Sequence, residues 1–371
     1  MRSGFCPIQG VLCLIASGLT ATALAQTAPH IAPIPRDPRE LATGQIESAN
    51  APAKREAALQ LLSRARNSYQ LRNLRQPWDL KIQFSVDSHG QTNYDGAWEM
   101  EDTFSPGQGL RWTAKSSAGY AIAGIFGTNA TYADAAGGVI PLRLQEARAM
   151  LYNPLPSVAY AGAGSIRTAA AAFGGSSVIC LLLAPSNNGA NQVGPRAWEE
   201  SEDCIDSQSG LLQMHSEAPG RYAIYDYTNA PRLENRLLPR TVTITEGGRA
   251  VSTISVQSLE AISSVDPSLF VPTDAMKAAG PAVAMTAATK ISRLQAPDQL
   301  SPGMTLRPVC VLGMVTPTGR LIEAHSLQPS DPNSDRAVKD AEAIDFSPSM
   351  RAGAPPQQHF VFVLEKFASA K

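Results

Sequence analysis

SSVICLLLA (176–184), AWEESEDCI (197–205), GLLQMHS (210–216), YAIYDYT (222–228), LLPRTVTIT (237–245) and AVSTISVQSL (250–259) follow one another between Ser176 and Pro272, and their reading decides the fold. Val, Ile, Leu and Tyr recur at every second position in several of these segments, which is the period of a sheet with one dry and one wet face. The separators Pro219-Gly220 and Gly247-Gly248 are hairpin punctuation, too short to hold a crossover helix. The ladder is therefore antiparallel.

Working outward toward the N-terminus, the same period governs Trp78 onward. Leu80, Ile82, Phe84 and Val86 alternate with Lys81, Gln83 and Ser85, and His89-Gly90 turns the chain into a strand from Gln91 to Thr103. Further strands are expected at Gly109–Ser116, Tyr120–Phe126, Asn129–Ala133 and Ser165–Phe173. About ten or eleven antiparallel strands result, enough for a strongly curled sheet or half-barrel. Helices interrupt it. Residues 53–74 place Ala58, Leu61, Leu62, Ala65 and Tyr69 on one stripe, and the helix stops before Gln76-Pro77. Pro141 opens a second helix carrying Leu144, Ala147 and Leu151, closed by Asn153-Pro154, and a short third one is expected between Leu155 and Ala161.

Beyond Pro272 the periodicity dissolves, and residues 273–305 read as an Ala/Pro-rich linker. A small β-β-α-β domain is expected over 306–371: strands at Leu306–Val315 and Arg320–Leu327 around the turn Thr316-Pro317-Thr318-Gly319, a helix from Asn333 or Ser334 to Ile344, and a closing strand at Gln357–Phe367. The fold class is thus mainly β with an α+β element.

At the N-terminus, Arg2, an apolar run from Val11 to Leu19 and Ala23-Leu24-Ala25 have the pattern of a cleavable signal peptide over residues 1–25. The expected location is periplasmic or otherwise exported, with residues 26–52 a disordered tail and no transmembrane helix after cleavage. Loss of the signal removes Cys6 and Cys13 and leaves Cys180, Cys204 and Cys310. Cys180 and Cys204 lie on neighbouring strands and are expected to pair, closing a loop worth about 3 kcal/mol in chain entropy. Cys310 reads as a small buried hydrophobe.

Composition excludes several classes. The net charge is -1 with 17% charged residues and no basic stripe, which argues against nucleic-acid binding. No nucleophile elbow, metal-ligand spacing or phosphate loop stands in a supporting context, so catalytic residues, metal ligands and cofactors are not expected. His215 and Glu217 sit two apart and read as a solvated face. The acidic run Glu199, Glu200, Glu202 and Asp203 reads as a soluble hairpin edge.

Residues 53–272 resemble the LolA/LolB-like lipoprotein-localisation fold at Pro77-Trp78-Asp79-Leu80, at Leu238–Ile244 and at Val265-Asp266-Pro267-Ser268-Leu269-Phe270. The end of the chain resembles the TonB C-terminal domain in Val309–Val315, Gly319, Ile322–Leu327, Ala337–Ile344, Phe346-Ser347-Pro348, Gly353 and Phe360–Phe367. It departs from that family at Asp345, where an aromatic residue is usual. The first resemblance implies an apolar concavity for a lipid or lipoprotein acyl group, with Phe84, Trp98, Trp112, Ile122, Leu144, Leu151 and Tyr222 as the candidate lining. The second implies an envelope protein partner, met by strand addition at the edges of the small sheet. The expectation is a non-enzymatic envelope protein; its rival is an adaptor with a solid core and two protein-binding modules.

Overall fold

A computed structural model describes residues 46–370 except 91, 93, 128–130, 136–139, 186–193, 283, 284, 286, 287, 296–303 and 347–357. The expected signal peptide and most of the expected tail therefore lie outside the described residues. In chain order the elements are β1 (Glu47–Ser48), α1 (Pro52–Ser68), β2 (Trp78–Val86), β3 (Gly96–Ser105), β4 (Gly109–Ser116), β5 (Ala121–Phe126), β6 (Thr131–Asp134), α2 (Leu142–Tyr152), α3 (Val158–Ala163), β7 (Ser165–Phe173), β8 (Ser176–Ala184) and β9 (Ser201–Asp206). There follow β10 (Leu212–Ala218), β11 (Arg221–Asp226), the two-residue strands β12 (Arg232–Leu233) and β13 (Arg236–Leu237), β14 (Thr241–Glu246), β15 (Arg249–Ala261) and α4 (Asp274–Ala279). The last are β16 (Thr289–Gln295), β17 (Met304–Val315), β18 (Leu321–Ser326), α5 (Ser334–Glu342) and β19 (His359–Ala370).

One open sheet of thirteen strands runs β1-β7-β8-β9-β10-β11-β14-β15-β2-β3-β4-β5-β6, antiparallel at every junction. The expected curled antiparallel sheet with helices is what forms, with two strands more than the upper expectation. The closure between β15 and β2 joins the early and late strand groups, pairing Ile254 with Phe84 and Val256 with Ile82. In β2 the alternation is strict, with Trp78, Leu80, Ile82, Phe84 and Val86 buried. Helix α1 starts with Pro52 in its first turn, where the missing N–H costs nothing, and Arg66 stands in its last turn against the carbonyl ends. Its buried stripe Ala58, Leu61, Leu62 and Ala65 joins the same core as β2.

Two expectations are corrected at the margins. Glu47–Ser48, inside the expected tail, pairs with Thr168 and Arg167 of β7. Part of the expected linker is a strand: β16 runs parallel to β19 from Thr289 beside Val361 to Gln295 beside Phe367. The small sheet is therefore four-stranded, ordered β16-β19-β17-β18, and its element order is β-β-β-α-β. The parallel partner lies some seventy residues downstream in the chain, so no local turn signal announces it.

The small sheet is buried on both faces. Cys310, Leu312, Met314, Phe360, Phe362 and Leu364 face Leu142 of α2, Trp198 of the turn before β9 and Ala218 of β10. Val309, Val311, Val361, Val363 and Phe367 face Ala337 and Ala341 of α5. Such near-continuous apolar strands are what two-sided burial demands. Two glycine turns of the large sheet abut it: a Cβ at Gly220 (φ 92°) would lie 2.8 Å from both Cβ and O of Leu327, and one at Gly247 (φ 58°) would lie 3.0 Å from the carbonyl of Ser326. Glycine there serves both the left-handed turn and the close approach.

Cys180 and Cys204 form the expected disulfide between β8 and β9, packed with Val178, Met214 and Tyr222. Replacing both by alanine should lower unfolding free energy by about 3 kcal/mol, read from urea unfolding against the oxidised wild type. Cys310 is free and buried, and burial pushes its thiol well above the ordinary range.

Candidate functional site

The concave side of the large sheet was the first candidate, and its expected lining is brought together with one exception. Phe84 (3%), Trp98 (2%), Trp112 (2%), Ile122 (4%), Leu144 (1%) and Leu151 (0%) share one buried cluster with Trp78 and Leu80. Phe84 stacks on Trp98 at 5.5 Å between ring centroids, and Trp78 stacks on Phe104 at 5.4 Å. Tyr222 lies on the other face, in the disulfide cluster with Ile224 partly buried beside it, while its neighbours Ala223 and Tyr225 face the concavity. Strand β11 is buried on both sides, so period two could not say which parity points inward.

A charged group is set into this apolar layer. Arg148 of α2 donates to Asp102 of β3 at 2.7 Å, Tyr152 donates to the other carboxylate oxygen at 2.5 Å, and the Arg148 guanidinium lies 4.5 Å from the Trp112 ring centroid. Arg148 Nη2 and Trp112 Nε1 are buried without hydrogen-bond acceptors among the described residues. An open groove of about 370 Å³ lies on the opposite face, lined by Lys81, Gln83, Glu99, Glu101, Thr113 and Lys115 among others. Its charged, solvated walls do not suit an acyl chain.

The second site is a buried ionic layer where the two sheets meet. Glu246, at the end of β14, accepts from Arg143 at 2.6 and 3.1 Å and from Arg221 at 3.0 Å. Arg221 also donates to Glu217 at 2.6 Å and, at close range, to Glu146 of α2. Arg143 reaches Glu323 of β18 at 3.5 Å. Both guanidiniums lie under 5 Å from the centroid of Phe360 of β19, two cation–π contacts to a ring of the small sheet. Burial by itself would raise the Glu246 carboxyl, but Arg143, His325 and Arg221 together hold it well below the ordinary carboxylate range. Glu323 goes the other way, pushed up chiefly by burial. It also sits at φ 53°, with Gly90 of the β2–β3 turn packed on it: a Cβ on Gly90 would come within 2.8 Å of its Cγ.

The acidic run departs from its expected exposure. Glu199 is exposed as expected, but Glu202 and Asp203 are buried because β9 is an interior strand between β8 and β10, and Glu200 in the turn before it is buried too. Arg167 grips Glu200 at 2.6 and 2.7 Å, Arg196 reaches Glu202 at 3.3 Å, and His215 Nδ1 lies 2.7 Å from Asp203. The same arginine, Arg196, binds the carbonyl of Glu200 in a turn that delays the start of β9 to Ser201. His215 is thus a buried ion-pair member rather than part of a solvated face with Glu217. Burial lowers its pKa, but the Asp203 carboxylate outweighs this and the net shift is upward from 6.5. A folded-state pKa above the unfolded one contributes stability that is whole below 6.5 and is lost as pH rises through the folded value. The wild type should therefore lose stability relative to His215→Gln as pH is raised from 6.5, as measured by urea unfolding at a series of pH values.

No protein-family model matches the chain, and no curated protein matches it. Among solved structures it is similar to a DUF1329 family protein from Desulfovibrio piger at 8% identity, covering 58% of this chain and 96% of that one with a TM-score of 0.38. A LolA superfamily protein from Nitrosomonas europaea is similar at 9% identity over 58% of this chain and 97% of that one, TM-score 0.36. The MucA/MucB complex of Pseudomonas aeruginosa is similar at 12% identity over 72% and 82%, TM-score 0.26. All three scores fall below 0.5. The functional reading therefore rests on the geometry of this chain. Among the described residues no helix is long and apolar enough to cross a membrane.

Proposed function

We propose that this chain is a non-enzymatic cell-envelope protein that acts by docking a protein partner, with the large sheet as a solid scaffold. The supporting observation is the filled concavity: the six side chains expected to line an acyl site are each at most 4% exposed and pack against Trp78 and the covering helices. The partner segment adds as a strand to the outer side of β16, because the outer side of β18 faces the Gly90 turn through Glu323. Delipidated protein titrated with a fluorescent fatty acid tests the solid-core part of this reading. Absence of saturable uptake is expected; stoichiometric, saturable uptake overturns it.

One observation favours acyl binding as a second reading: the unpartnered Arg148 Nη2 and Trp112 Nε1 inside the apolar layer. A carboxylate or ester head could take both donors, provided α2 swings away from the sheet. In that case the same titration shows uptake, and Arg148→Leu weakens it for a carboxylate probe.

A further inference from the structure

His89, Glu246 and His325 are far apart in sequence and meet at the ionic junction, each offering one ligand atom within 4.8 Å of the others. His325 Nε2 is 3.1 Å from Glu246 Oε2, and His89 Nε2 is 3.9 Å from the same oxygen. A tetrahedral ion with bonds of about 2.0–2.1 Å holds neighbouring ligand atoms roughly 3.3 Å apart, between those two separations. Both Nε2 atoms are buried with only these ionic contacts to Glu246 and no hydrogen bond of good geometry, and the rings lie against each other at 3.5 Å between centroids. The Nδ1 atom of His325 is 2.8 Å from the carbonyl of Glu323. Donation from Nδ1 to that carbonyl is the arrangement that prepares an imidazole for a metal, and the Nε2 now lying against the Glu246 carboxylate gives up its proton when an ion enters between them. His89 Nδ1 has one long contact, accepting from Arg249 at 3.4 Å, and the residue sits part-exposed in the β2–β3 turn.

Charge points the same way. Around this spot the carboxyl groups of Glu146, Glu217, Glu246 and Glu323 face the guanidiniums of Arg143 and Arg221, while Arg249 beside His89 is paired with Asp87. A divalent cation would balance the excess of carboxyl groups, whereas two stacked imidazoles repel each other if both are charged.

We propose that His89, Glu246 and His325 form a binding site for a zinc-class divalent ion. Two imidazole nitrogens and one carboxylate are a donor set that suits zinc, with water completing the coordination. The ion staples the β2–β3 turn and the end of β14 in the large sheet to β18 in the small one. The two histidine rings splay apart as it enters.

Untagged full-length protein, stripped with EDTA and exchanged into metal-free buffer, is titrated with zinc chloride by calorimetry, with cobalt(II) absorption as a second readout. One ion per chain and tetrahedral-type cobalt bands are expected, together with a rise in melting temperature. His325→Gln and the part-exposed His89→Gln should each weaken binding by roughly 100-fold or more, since each removes a ligand. His215→Gln, outside the site, should bind as the wild type does. Circular dichroism confirms that His89→Gln is folded, and this variant decides the matter even if His325→Gln is unstable. Absence of stoichiometric binding to the wild type overturns the proposal, and so does binding that survives both substitutions unchanged.

Discussion

Glu246→Ala should destabilise the protein by about 3–5 kcal/mol when measured by urea unfolding in EDTA, the cost of leaving buried guanidiniums without their counter-charge. Arg143 and Arg221 have almost no solvent access, and both use Glu246 as an acceptor. Removing the carboxylate leaves Arg143 with Glu146 at 3.4 Å and Glu323 at 3.5 Å as its remaining ionic partners. The loss would be felt in both sheets, because Phe360 of the small sheet lies against the same two guanidiniums. Glu246→Gln keeps the shape and loses the charge, so it should fall between the wild type and the alanine variant. A cost below about 1 kcal/mol would mean that water reaches this layer.

Trp78→Ala should cost a similar amount, about 3–5 kcal/mol, for a different reason. Trp78 is fully buried, stacks on Phe104, and donates from Nε1 to the carbonyl of Leu71 at 3.1 Å. Its removal opens a cavity at the junction of α1 with β2 and takes from that carbonyl one of its two donors, leaving the Leu74 N–H at 3.1 Å. Val271→Ala is the matching control, since Val271 is 59% exposed and should change stability by under about 0.5 kcal/mol. Near-wild-type stability for Trp78→Ala would indicate a loosely packed concavity, the state an acyl carrier requires.

The large sheet was legible because its signals are local. Alternation in β2, the Pro219-Gly220 and Gly247-Gly248 turns, and the α1 stripe each depend on residues within a few positions of one another. The segment Ser165–Phe173 was read to the residue. What could not be read depends on partners brought from far away. Arg143, Arg221, Glu246 and Glu323 look like surface charges one at a time, and only the docking of β18 and β19 beside β14 turns them into a buried layer. Glu200, Glu202 and Asp203 misled for the same reason: acidic residues suggest water, and the compensating Arg167, Arg196 and His215 come from β7, the turn before β9 and β10. Strand β16 escaped because Thr289–Gln295 carries polar residues in an Ala/Pro-rich stretch and finds its partner only in β19. The pairing of Cys180 with Cys204 was within reach, since β8 and β9 are adjacent in sequence and place the two cysteines directly opposite.

The claim on which the rest depends is that both sheets fold as one body across the Glu246 layer. Differential scanning calorimetry of the full chain tests it most directly. The account predicts a single transition whose calorimetric and van't Hoff enthalpies agree, and which moves as a whole to lower temperature in Glu246→Ala. Two separate transitions in the wild type, one of them unmoved by Glu246→Ala, would contradict it.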